Sequence, residues 1–473
     1  MNVCLVTSPR FNCKPTLKAL APLGLAQLAA VARDAGHNVT TVEGVFLGNP
    51  ITIARRVAAE NPDVVGTSTV TSDRLAGIAS IREIRRAIPN AFIVVGGSHF
   101  SHSAEDALCC VPEIDAVVVG EGERTFVELL EHLPDRDALG EIPGLVFRDG
   151  ENQIVRNKPR QLMSEINSLP RPAWDIFSLG QYSFPKVSDN STVTAGVMTT
   201  RGCPQQCVFC ANSLNKKMRF LDPALAVDEL EWLHSSFGVN DLHFYDDDFL
   251  TSNKHAVRLC EELLKRNTKF SWWCNARAKQ LDIEVLRLMR KAGCKAISFG
   301  VESGTNKVLN ASKKNLTVEQ IAEAMETVSK VHFDKIGVFL IIGLPGETTE
   351  TIDQTVSFLK TIRALFGKSW QVGELIGQSP LIFPGTELED IGRKEGCLPD
   401  NFSWNQPYLQ PKRYLPLVDK RYQTVPHFET RSLPLEQICA HLRKWHWNEL
   451  SRGQKRHFRR APLGRMKVAF GIS

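Results

Sequence analysis

The 473-residue sequence predicts an α/β protein with two consecutive strand–helix series. Short apolar runs rich in β-branched residues alternate with amphipathic segments, first over residues 1–135 and again over residues 191–390. Strands that are apolar on both faces are typical of parallel sheets covered by helices on both sides. We therefore expect two such sheets, followed by a smaller α-rich region at residues 391–473.

The N-terminal series predicts five strands, at residues 3–7, 39–42, 64–69, 92–95 and 116–119, with helical patterns at 23–35 and 74–87. This pattern predicts a flavodoxin-like, doubly wound parallel sheet, whose ligand lies at the carboxyl ends of the strands. Glycines at those ends either let a bulky ligand approach the backbone or simply turn the chain. The candidate ligand-binding residues are Thr67, Ser68, Thr69, Gly96, Gly97, Gly120, Glu121 and Gly122.

Residues 136–190 predict a proline-rich connector with one hairpin at 144–150, turning at Asp149-Gly150. Residues 191–390 then predict a partial (β/α)6 barrel, with strands at 193–199, 242–245, 271–274, 296–301, 337–342 and 371–377. The intervening helical patterns include 225–237, 255–265 and 352–365. The loops at the carboxyl-terminal mouth of such a barrel are expected to form the active site.

Three cysteines directly follow the first barrel strand, in the order Cys203-Pro-Gln-Gln-Cys207-Val-Phe-Cys210. A structural zinc site needs four ligands, usually as two separated pairs, and the next cysteines stand alone. Cysteines packed in the core are the other alternative. The spacing favours an iron–sulfur cluster with three protein ligands, which leaves one iron open to a small molecule.

Three further strand ends of the barrel contain candidate binding residues. Asp246, Asp247 and Asp248 follow the second strand and predict either a cation-binding site or a solvated acidic turn. Glycines flank Glu302 at the end of the fourth strand, where they allow a ligand to approach closely. A Gly343-Leu-Pro-Gly-Glu-Thr turn ends the fifth strand, and its last two residues are expected to cap the next helix.

The cysteine spacing, with an aromatic residue before the third cysteine, resembles the cluster loop of the radical S-adenosylmethionine superfamily. The other motifs follow in that family's order. The resemblance implies that Cys203, Cys207 and Cys210 hold a [4Fe–4S] cluster, that S-adenosylmethionine binds the fourth iron, and that its cleavage gives a 5′-deoxyadenosyl radical. It also implies a set of S-adenosylmethionine-binding residues: Phe209, Asp246, Asp247, Gly300, Glu302, Gly343 and Pro345.

The N-terminal series resembles the cobalamin-binding domain that precedes many radical S-adenosylmethionine domains. The resemblance rests on the segments 22–25, 62–66, 96–97 and 120–123. It implies that cobalamin binds at the carboxyl ends of the strands. The Asp-x-His-x-x-Gly loop that donates a histidine to cobalt in other cobalamin proteins is absent, so the lower ligand of cobalt stays open. We expect His99 and His102 to be surface or supporting histidines.

These resemblances imply a cobalamin-dependent enzyme that functionalises an unactivated carbon, by methyl transfer in lipid, tetrapyrrole or secondary-metabolite biosynthesis. A radical cyclase, oxidoreductase or rearrangement enzyme stays open as an alternative. So does a methylthiotransferase, whose second cluster would draw on Cys4, Cys13, Cys109 and Cys110, and so does a non-catalytic cobalamin sensor. The expected partners are a small-molecule or lipid substrate and a flavodoxin or ferredoxin that donates electrons. The sequence identifies no catalytic residue.

Composition and charge favour a cytoplasmic protein. There is no run of about 18 apolar residues, and twelve cysteines occur without a secretory signal. The net charge of +5 is uneven, because residues 443–467 contain nine Lys/Arg against Glu449 alone. This basic tail predicts either peripheral contact with the inner face of a membrane or a solvated terminus. No motif indicates nucleic-acid binding.

Overall fold

The computed structural model describes residues 1–10, 20–133, 135–182, 193–212, 214–372, 380–411 and 422–441. Two large sheets organise this part of the chain, one of seven strands and one of six. Buried β-branched and apolar residues form both sheets, as the alternating sequence pattern predicts.

The N-terminal sheet has the strand order β2-β1-β3-β4-β5-β6-β7, and its first five strands are parallel. This confirms the predicted flavodoxin-like order. Its strands are β1 (Asn2–Thr7), β2 (Asn38–Glu43), β3 (Val64–Ser68), β4 (Phe92–Gly96), β5 (Ala116–Val118), β6 (Leu145–Arg148) and β7 (Ile154–Arg156). The helices are α1 (Leu23–Asp34), α2 (Gly44–Leu47), α3 (Pro50–Ala59), α4 (Arg74–Ala87), α5 (Gly97–Ser101), α6 (Ala104–Cys110) and α7 (Glu123–His132).

The predicted hairpin of the connector forms β6 and β7 and adds two antiparallel strands to this sheet. Asp149 begins its turn as predicted, and its carboxylate accepts hydrogen bonds from the amides of Glu151 and Gln153 at 3.0 and 2.8 Å. The second strand starts later than expected, at Ile154. The connector thus extends the N-terminal sheet as well as linking it to the barrel.

The second sheet is entirely parallel, with the order β15-β14-β13-β12-β11-β8. Its elements, with a short antiparallel ribbon β9–β10, are β8 (Val193–Val197), β9 (Thr200–Arg201), β10 (Arg219–Phe220), α8 (Pro223–Phe237), β11 (Val239–Phe244), α9 (Asn253–Lys265), β12 (Ser271–Arg277), α10 (Ile283–Lys291), β13 (Cys294–Glu302), α11 (Asn306–Ala311), α12 (Val318–Ser329), β14 (Lys335–Leu340), α13 (Thr349–Ala364), β15 (Trp370–Val372) and α14 (Glu387–Glu395). The partial barrel is confirmed, although predicted strand residues 373–377 lie outside the described residues.

Helix α1 and the connector join the N-terminal half to the barrel. Leu25 and Ala26 of α1 and Trp174 and Phe177 of the connector belong to the same buried apolar cluster as the barrel strands. The Gln27 amide also donates to the Pro170 carbonyl at 2.8 Å. Helix α1 therefore packs directly on the barrel, and the connector fills the join.

The C-terminal region packs against the cysteine loop. Val208 shares a buried apolar cluster with Ile382, Leu388, Trp404 and Phe428. Residues 435–441 are helical, in the region that the sequence predicts to be α-rich. The whole basic tail at 443–467 lies outside the described residues. In the part of the chain that the structure describes, no helix is long and apolar enough to cross a membrane.

Candidate active site

The carboxyl ends of the barrel strands meet at one edge of the sheet. Val197 is in register with Phe244, Arg277 with Gly300, and Glu302 with Leu340. Because all these strands are parallel, the cysteine loop, the acidic loop, the glycine-flanked Glu302 and the turn at 343–348 all lie at this edge. The structure thus brings together the four motifs that the sequence singles out.

The cysteine loop is fixed by backbone contacts at both ends. Gly202 has φ +96°, and a Cβ atom there would lie 2.4 Å from the Lys217 carbonyl oxygen, so the tight approach requires glycine. The Cys203 amide donates to the Asn215 carbonyl at 3.0 Å. Val208, in the middle of the loop, donates to the Ser312 carbonyl at 3.1 Å and accepts from the Leu388 amide at 2.8 Å.

Cys203, Cys207 and Cys210 are free thiols with intermediate exposure. Burial raises the pKa of Cys203 and Cys210. In the described parts of the chain, no three His, Cys, Asp or Glu side chains surround a position for one metal ion. Three free thiols on one loop fit a cluster, in which each thiolate binds a different iron.

A cation from the third barrel strand also contacts this loop. The guanidinium of Arg277 lies 3.8 Å from Cys207 Sγ and also donates to the Lys314 carbonyl. Arg277 was not predicted from the sequence, because the predicted strand ends at residue 274, whereas β12 continues to Arg277.

The three carboxylates of the acidic loop have different surroundings. Asp246 is fully buried and accepts from the Thr199 amide and hydroxyl at 3.0–3.3 Å, and its burial raises its pKa to about 6. Asp248 is buried and accepts from the Arg277 amide at 3.2 Å. Asp247 accepts from the side chain of Asn212 and lines a cavity. The three therefore form neither one cation site nor a solvated turn.

Glu302 forms a buried ion pair at the end of the fourth strand. Its carboxylate lies 2.9 Å from Lys314 Nζ, and both side chains are buried. A Cβ atom at position 300 would lie 2.6 Å from Glu302 Oε1 and 2.8 Å from Lys314 Nζ, so Gly300 makes room for this pair. Glu302 has φ +63°, which is uncommon for a residue other than glycine and concentrates at functional sites.

The turn after the fifth strand is held by Glu347. Its carboxylate accepts from the Gly343 amide at 3.3 Å and from the Thr351 hydroxyl. Burial raises the pKa of Glu347. Thr348 is the N-cap of α13 and forms a capping box with Thr351, which confirms the predicted cap. Gly343 has φ +104°, and a Cβ atom there would lie 2.7 Å from the side chain of Ile438 in the C-terminal helix.

A cavity of about 560 Å³ lies between the carboxyl edge of the N-terminal sheet and the barrel mouth. This volume is within the roughly 300–1,000 Å³ typical of ligand sites. Its N-terminal wall contains seven of the eight predicted residues: Thr67, Ser68, Gly96, Gly97, Gly120, Glu121 and Gly122. Its barrel wall includes Met198, Thr200, Gly202, Tyr245 and Asp247. The two edges that the sequence predicts to bind ligands therefore face one space.

Two residues of this region, Thr69 and His99, do not line the cavity. Thr69 does not line the cavity, because it is buried and its hydroxyl bonds Ser8 Oγ at 2.6 Å. His99 is not at the surface: it is fully buried, and its ring nitrogens lie 3.2 Å from Thr71 Oγ1 and Asn405 Oδ1. His102 contacts the Ala211 carbonyl at 3.1 Å. Both histidines join the N-terminal sheet to other parts of the chain.

The remaining predicted residues are distributed around the barrel mouth. Of the seven residues predicted to bind S-adenosylmethionine, Asp247 alone is among those that line this cavity. Phe209 packs against the C-terminal apolar cluster, and Pro345 is half-buried in the turn after β14. The other four lie at or just after the carboxyl ends of the barrel strands and do not line this cavity: Asp246, Gly300, Glu302 and Gly343.

Four charged residues connect the two walls of the cavity. Glu121 accepts from both terminal nitrogens of Arg219 at 2.7 Å, and Glu123 accepts from Arg201 at 2.7 Å. Arg201 lies two residues before Cys203. Glu121 was predicted to bind a ligand, and neither arginine was predicted, because their partners are about 80 to 100 positions away in sequence.

Comparison with known proteins identifies both halves of this site. Residues 197–359 match the model of the radical SAM superfamily, and residues 17–130 match that of the B12 binding domain. The chain is 33% identical to an uncharacterised methyltransferase of Pyrococcus horikoshii, PH0819, over 72% of this chain and 73% of that protein. It belongs to the B12-binding radical SAM enzymes.

Other relatives agree with this family. The chain is 29% identical to the anaerobic magnesium-protoporphyrin IX monomethyl ester cyclase of Cereibacter sphaeroides, over 64% of this chain but only half of the cyclase. The structure of OxsB, a cobalamin-dependent S-adenosylmethionine radical enzyme, superposes with a TM-score of 0.72 at 18% identity, over 94% of this chain and 66% of OxsB. That likeness shows a shared fold across both sheets.

A B12-binding radical SAM enzyme uses a [4Fe–4S] cluster, S-adenosylmethionine and cobalamin. It also requires a reductant and a substrate. The described residues fit these groups in three ways. Three free thiols lie on one fixed loop, a glycine-lined sheet edge borders a cavity, and the cavity reaches the acidic loop beside the cysteines.

Proposed function

We propose that this enzyme transfers a methyl group to an unactivated carbon of a small-molecule or lipid substrate. The observation that supports this best is the single cavity bounded by both the N-terminal sheet edge and the barrel mouth. A shared space lets two cofactors act on one bound substrate without exposing it to water. When bound, the cluster, S-adenosylmethionine and cobalamin together supply a substrate radical and a transferable methyl group.

In this proposal each residue of the site has a defined task. Cys203, Cys207 and Cys210 hold the cluster. Asp247, the acidic-loop carboxylate on the cavity wall, accepts hydrogen bonds from the amino group of S-adenosylmethionine. The Asp246 carboxylate accepts hydrogen bonds from the Thr199 amide and hydroxyl. These bonds fix the backbone at Asp246 and so position Asp247, the next residue.

The remaining S-adenosylmethionine residues act mainly through shape. Gly300 leaves room at the end of the fourth strand for the ion pair between Glu302 Oε1 and Lys314. We assign the other carboxylate oxygen of Glu302 to the ribose hydroxyls. Gly343 and Pro345 form the turn beside the adenine, and Phe209 anchors the cysteine loop to the C-terminal cluster.

Cobalamin is assigned to the N-terminal wall. Thr67 and Ser68 offer hydroxyl groups, and Gly96, Gly97 and Gly120 expose backbone to the cavity. Gly97 has φ +85°, and a Cβ atom there would lie 2.3 Å from Ser68 Oγ, so any larger residue would disturb this wall. His99 is already bonded on both ring nitrogens and is not proposed as a cobalt ligand.

A labelling experiment tests methyl transfer. Enzyme with all three cofactors is incubated anaerobically with methyl-labelled S-adenosylmethionine, a low-potential reductant and small-molecule or lipid fractions of its source cells. We expect a labelled product one methylene unit heavier than its precursor, absent with Cys207→Ala. A product formed without this mass gain would contradict methyl transfer while leaving the family assignment intact.

A second candidate function is radical cyclisation, which the 29% identity to an anaerobic cyclase supports. Magnesium-protoporphyrin IX monomethyl ester is the substrate to test. Its conversion without gain of a methylene unit, with 5′-deoxyadenosine formed, would favour cyclisation. No conversion would remove this candidate.

Iron content tests the cluster assignment separately from the reaction. We expect about four iron atoms per chain in the wild type and almost none in Cys207→Ala. Cys109→Ala is the matched control, because Cys109 is an exposed cysteine of the N-terminal half. Loss of iron in the control as well would instead support a second cluster of the methylthiotransferase type. Cys4 is fully buried in β1, and Cys13 lies outside the described residues.

We further propose four regions: cobalamin binding at 1–135, the connector at 136–190, the barrel at 191–390 and a substrate-closing region at 391–473. The contact of Ile438 with Gly343 supports the last of these. A flavodoxin or ferredoxin is proposed as the electron donor. Peripheral membrane contact stays a prediction about the basic tail at 443–467.

A further inference from the structure

The position of Arg277 suggests a role beyond holding the fold. Its guanidinium is buried at the barrel mouth, and Nη1 lies 3.8 Å from Cys207 Sγ, within hydrogen-bonding distance for sulfur. Cys207 is one of the three cysteines proposed to hold the cluster, so an N–H of Arg277 points at a cluster sulfur.

Three further contacts fix Arg277 in this position. Its Nη2 donates to the Lys314 carbonyl, and its amide donates to Asp248 Oδ1 at 3.2 Å. Its backbone is in register with Gly300 of the neighbouring strand. The guanidinium is therefore oriented before any ligand binds, and a charge set in place in this way costs little reorganisation when the cluster changes its own charge.

The charges around the cysteine loop make this cation important. Two carboxylates lie beside the cysteine loop: Asp247 accepts from the side chain of Asn212, two residues after Cys210, and Asp248 accepts from the Arg277 amide at 3.2 Å. Two other cations lie nearby: Lys216 donates to the Gln205 and Asn212 carbonyls at 2.7 and 3.0 Å, and Lys279 lies 4.0 Å from Asp248. Among the described residues, Arg277 is thus the cation whose N–H donates directly to a cysteine sulfur.

We propose that Arg277 raises the reduction potential of the cluster by donating an N–H to the sulfur of Cys207. Reduction adds one electron, supplied by a low-potential flavin or iron–sulfur protein, and makes the cluster more negative. A hydrogen bond to a ligand sulfur and an adjacent positive charge both stabilise that reduced form. Arg277 is accordingly a positioning and tuning residue. The inference rests on the proposed assignment of Cys207 as a cluster ligand.

A redox titration of the cluster tests this role. Wild type, Arg277→Gln and Arg277→Lys are loaded with iron and sulfide anaerobically and titrated with mediators, the reduced cluster being followed by EPR. We expect Arg277→Gln to lower the ratio of reduced to oxidised cluster at a fixed potential at least tenfold, which is 59 mV for one electron. Arg277→Lys keeps the charge but not the fork of donors, so its shift should be smaller.

Lys279→Gln is the matched control, because it removes a cation from the same rim without touching a cysteine sulfur. In Lys279→Gln we expect the ratio of reduced to oxidised cluster at a fixed potential to change less than threefold. Equal shifts of the reduction potential in Lys279→Gln and Arg277→Gln would overturn the inference. So would an unchanged reduction potential in Arg277→Gln accompanied by weaker S-adenosylmethionine binding. If Cys207→Ala instead kept its iron, the cluster assignment itself would fail, so the two failures are distinguishable.

Discussion

Asp246 is buried behind the cavity wall, and its carboxylate accepts hydrogen bonds from Thr199. The Thr199 hydroxyl in turn lies 3.3 Å from His255 Nε2. Burial raises the pKa of Asp246 to about 6 and lowers that of His255 to about 4. At neutral pH the group is therefore a buried carboxylate supported by hydrogen bonds and next to a neutral imidazole.

This arrangement predicts a pH-dependent stability that Asp246→Asn should remove. The ordinary pKa of the carboxyl, 3.8, rises to about 6 in the folded protein. Between these values the folded chain binds more protons than the unfolded chain, so the free energy of unfolding falls as pH rises and the loss is complete above the folded pKa. The free energy of unfolding of the wild type minus that of Asp246→Asn should therefore fall by about 3 kcal/mol at most between pH 4 and 7.

Urea denaturation at a series of pH values measures this difference. His255 is present in both proteins, and its opposite pH dependence largely cancels in the comparison. Asp175→Asn is the control, because Asp175 is half-exposed and pairs with Arg33 at the surface. A constant difference between wild type and Asp246→Asn across this range would contradict the prediction.

At the scale of elements, the loop between β5 and α7 is tied to the ribbon β9–β10. Glu121 lies in this loop and Glu123 is the first residue of α7, and their partners Arg219 and Arg201 lie in the ribbon that flanks the cysteine loop. Arg219 is almost fully buried and also donates to the Met163 carbonyl at 2.9 Å. This network fixes the distance between the two walls of the cavity.

Arg219→Leu should therefore destabilise the protein strongly. Removing one partner of a buried pair costs up to about 3–5 kcal/mol. Without Arg219, Glu121 keeps only the weaker contacts with Arg201 at 3.8 Å and Asn215 at 3.3 Å. Arg258→Leu is the matched control, because Arg258 pairs with Asp222 at 3.5 Å in an exposed position and such pairs are worth about 0–1 kcal/mol. Chemical denaturation compares the two variants. Equal losses would show that the Glu121–Arg219 pair is no stronger than a surface pair.

Glu121→Gln combined with Arg219→Leu refines this test. The double variant removes the weakly compensated carboxylate, so it should recover part of the stability that Arg219→Leu loses. It should still bind cobalamin more weakly than the wild type, because the cavity wall is no longer held. Unchanged cobalamin affinity would limit the network to a structural role.

Elements were predictable from sequence where burial follows a local pattern. The five parallel strands and most of the barrel follow from runs of apolar β-branched residues, and the cap at Thr348 follows from its place at the end of a turn before a helical pattern. Arg277 was missed because the last residues of β12, Asn-Ala-Arg, lack that apolar pattern. The partners of Glu302 and Glu121 were missed for another reason: ion pairs between distant segments leave no periodic signal in the sequence.

At the scale of the whole molecule, the C-terminal region is fastened to the N-terminal sheet by buried polar contacts. Arg74, at the start of α4, is fully buried and donates to the Trp404 and Thr424 carbonyls at 2.7 and 2.6 Å. Asn405 adds contacts to His99 and to Asp106. The same C-terminal region packs on Val208 of the cysteine loop, so it links both halves of the candidate site.

Arg74→Met should loosen this link without unfolding either sheet. The apolar side chain keeps much of the volume but leaves the Trp404 and Thr424 carbonyls without their donor, at about 1–3 kcal/mol for each buried group. Hydrogen exchange in segments 402–411 and 422–428 should therefore speed up at least tenfold, since each 1.4 kcal/mol is a factor of ten. Exchange in β1, β3 and β4 should stay unchanged, because these strands have their own core.

Arg82→Met is the control on the same helix, where Arg82 makes a 3.8 Å surface pair with Glu113. Equal exchange in both variants would mean that apolar packing around Trp404, and not Arg74, holds the C-terminal region over the site.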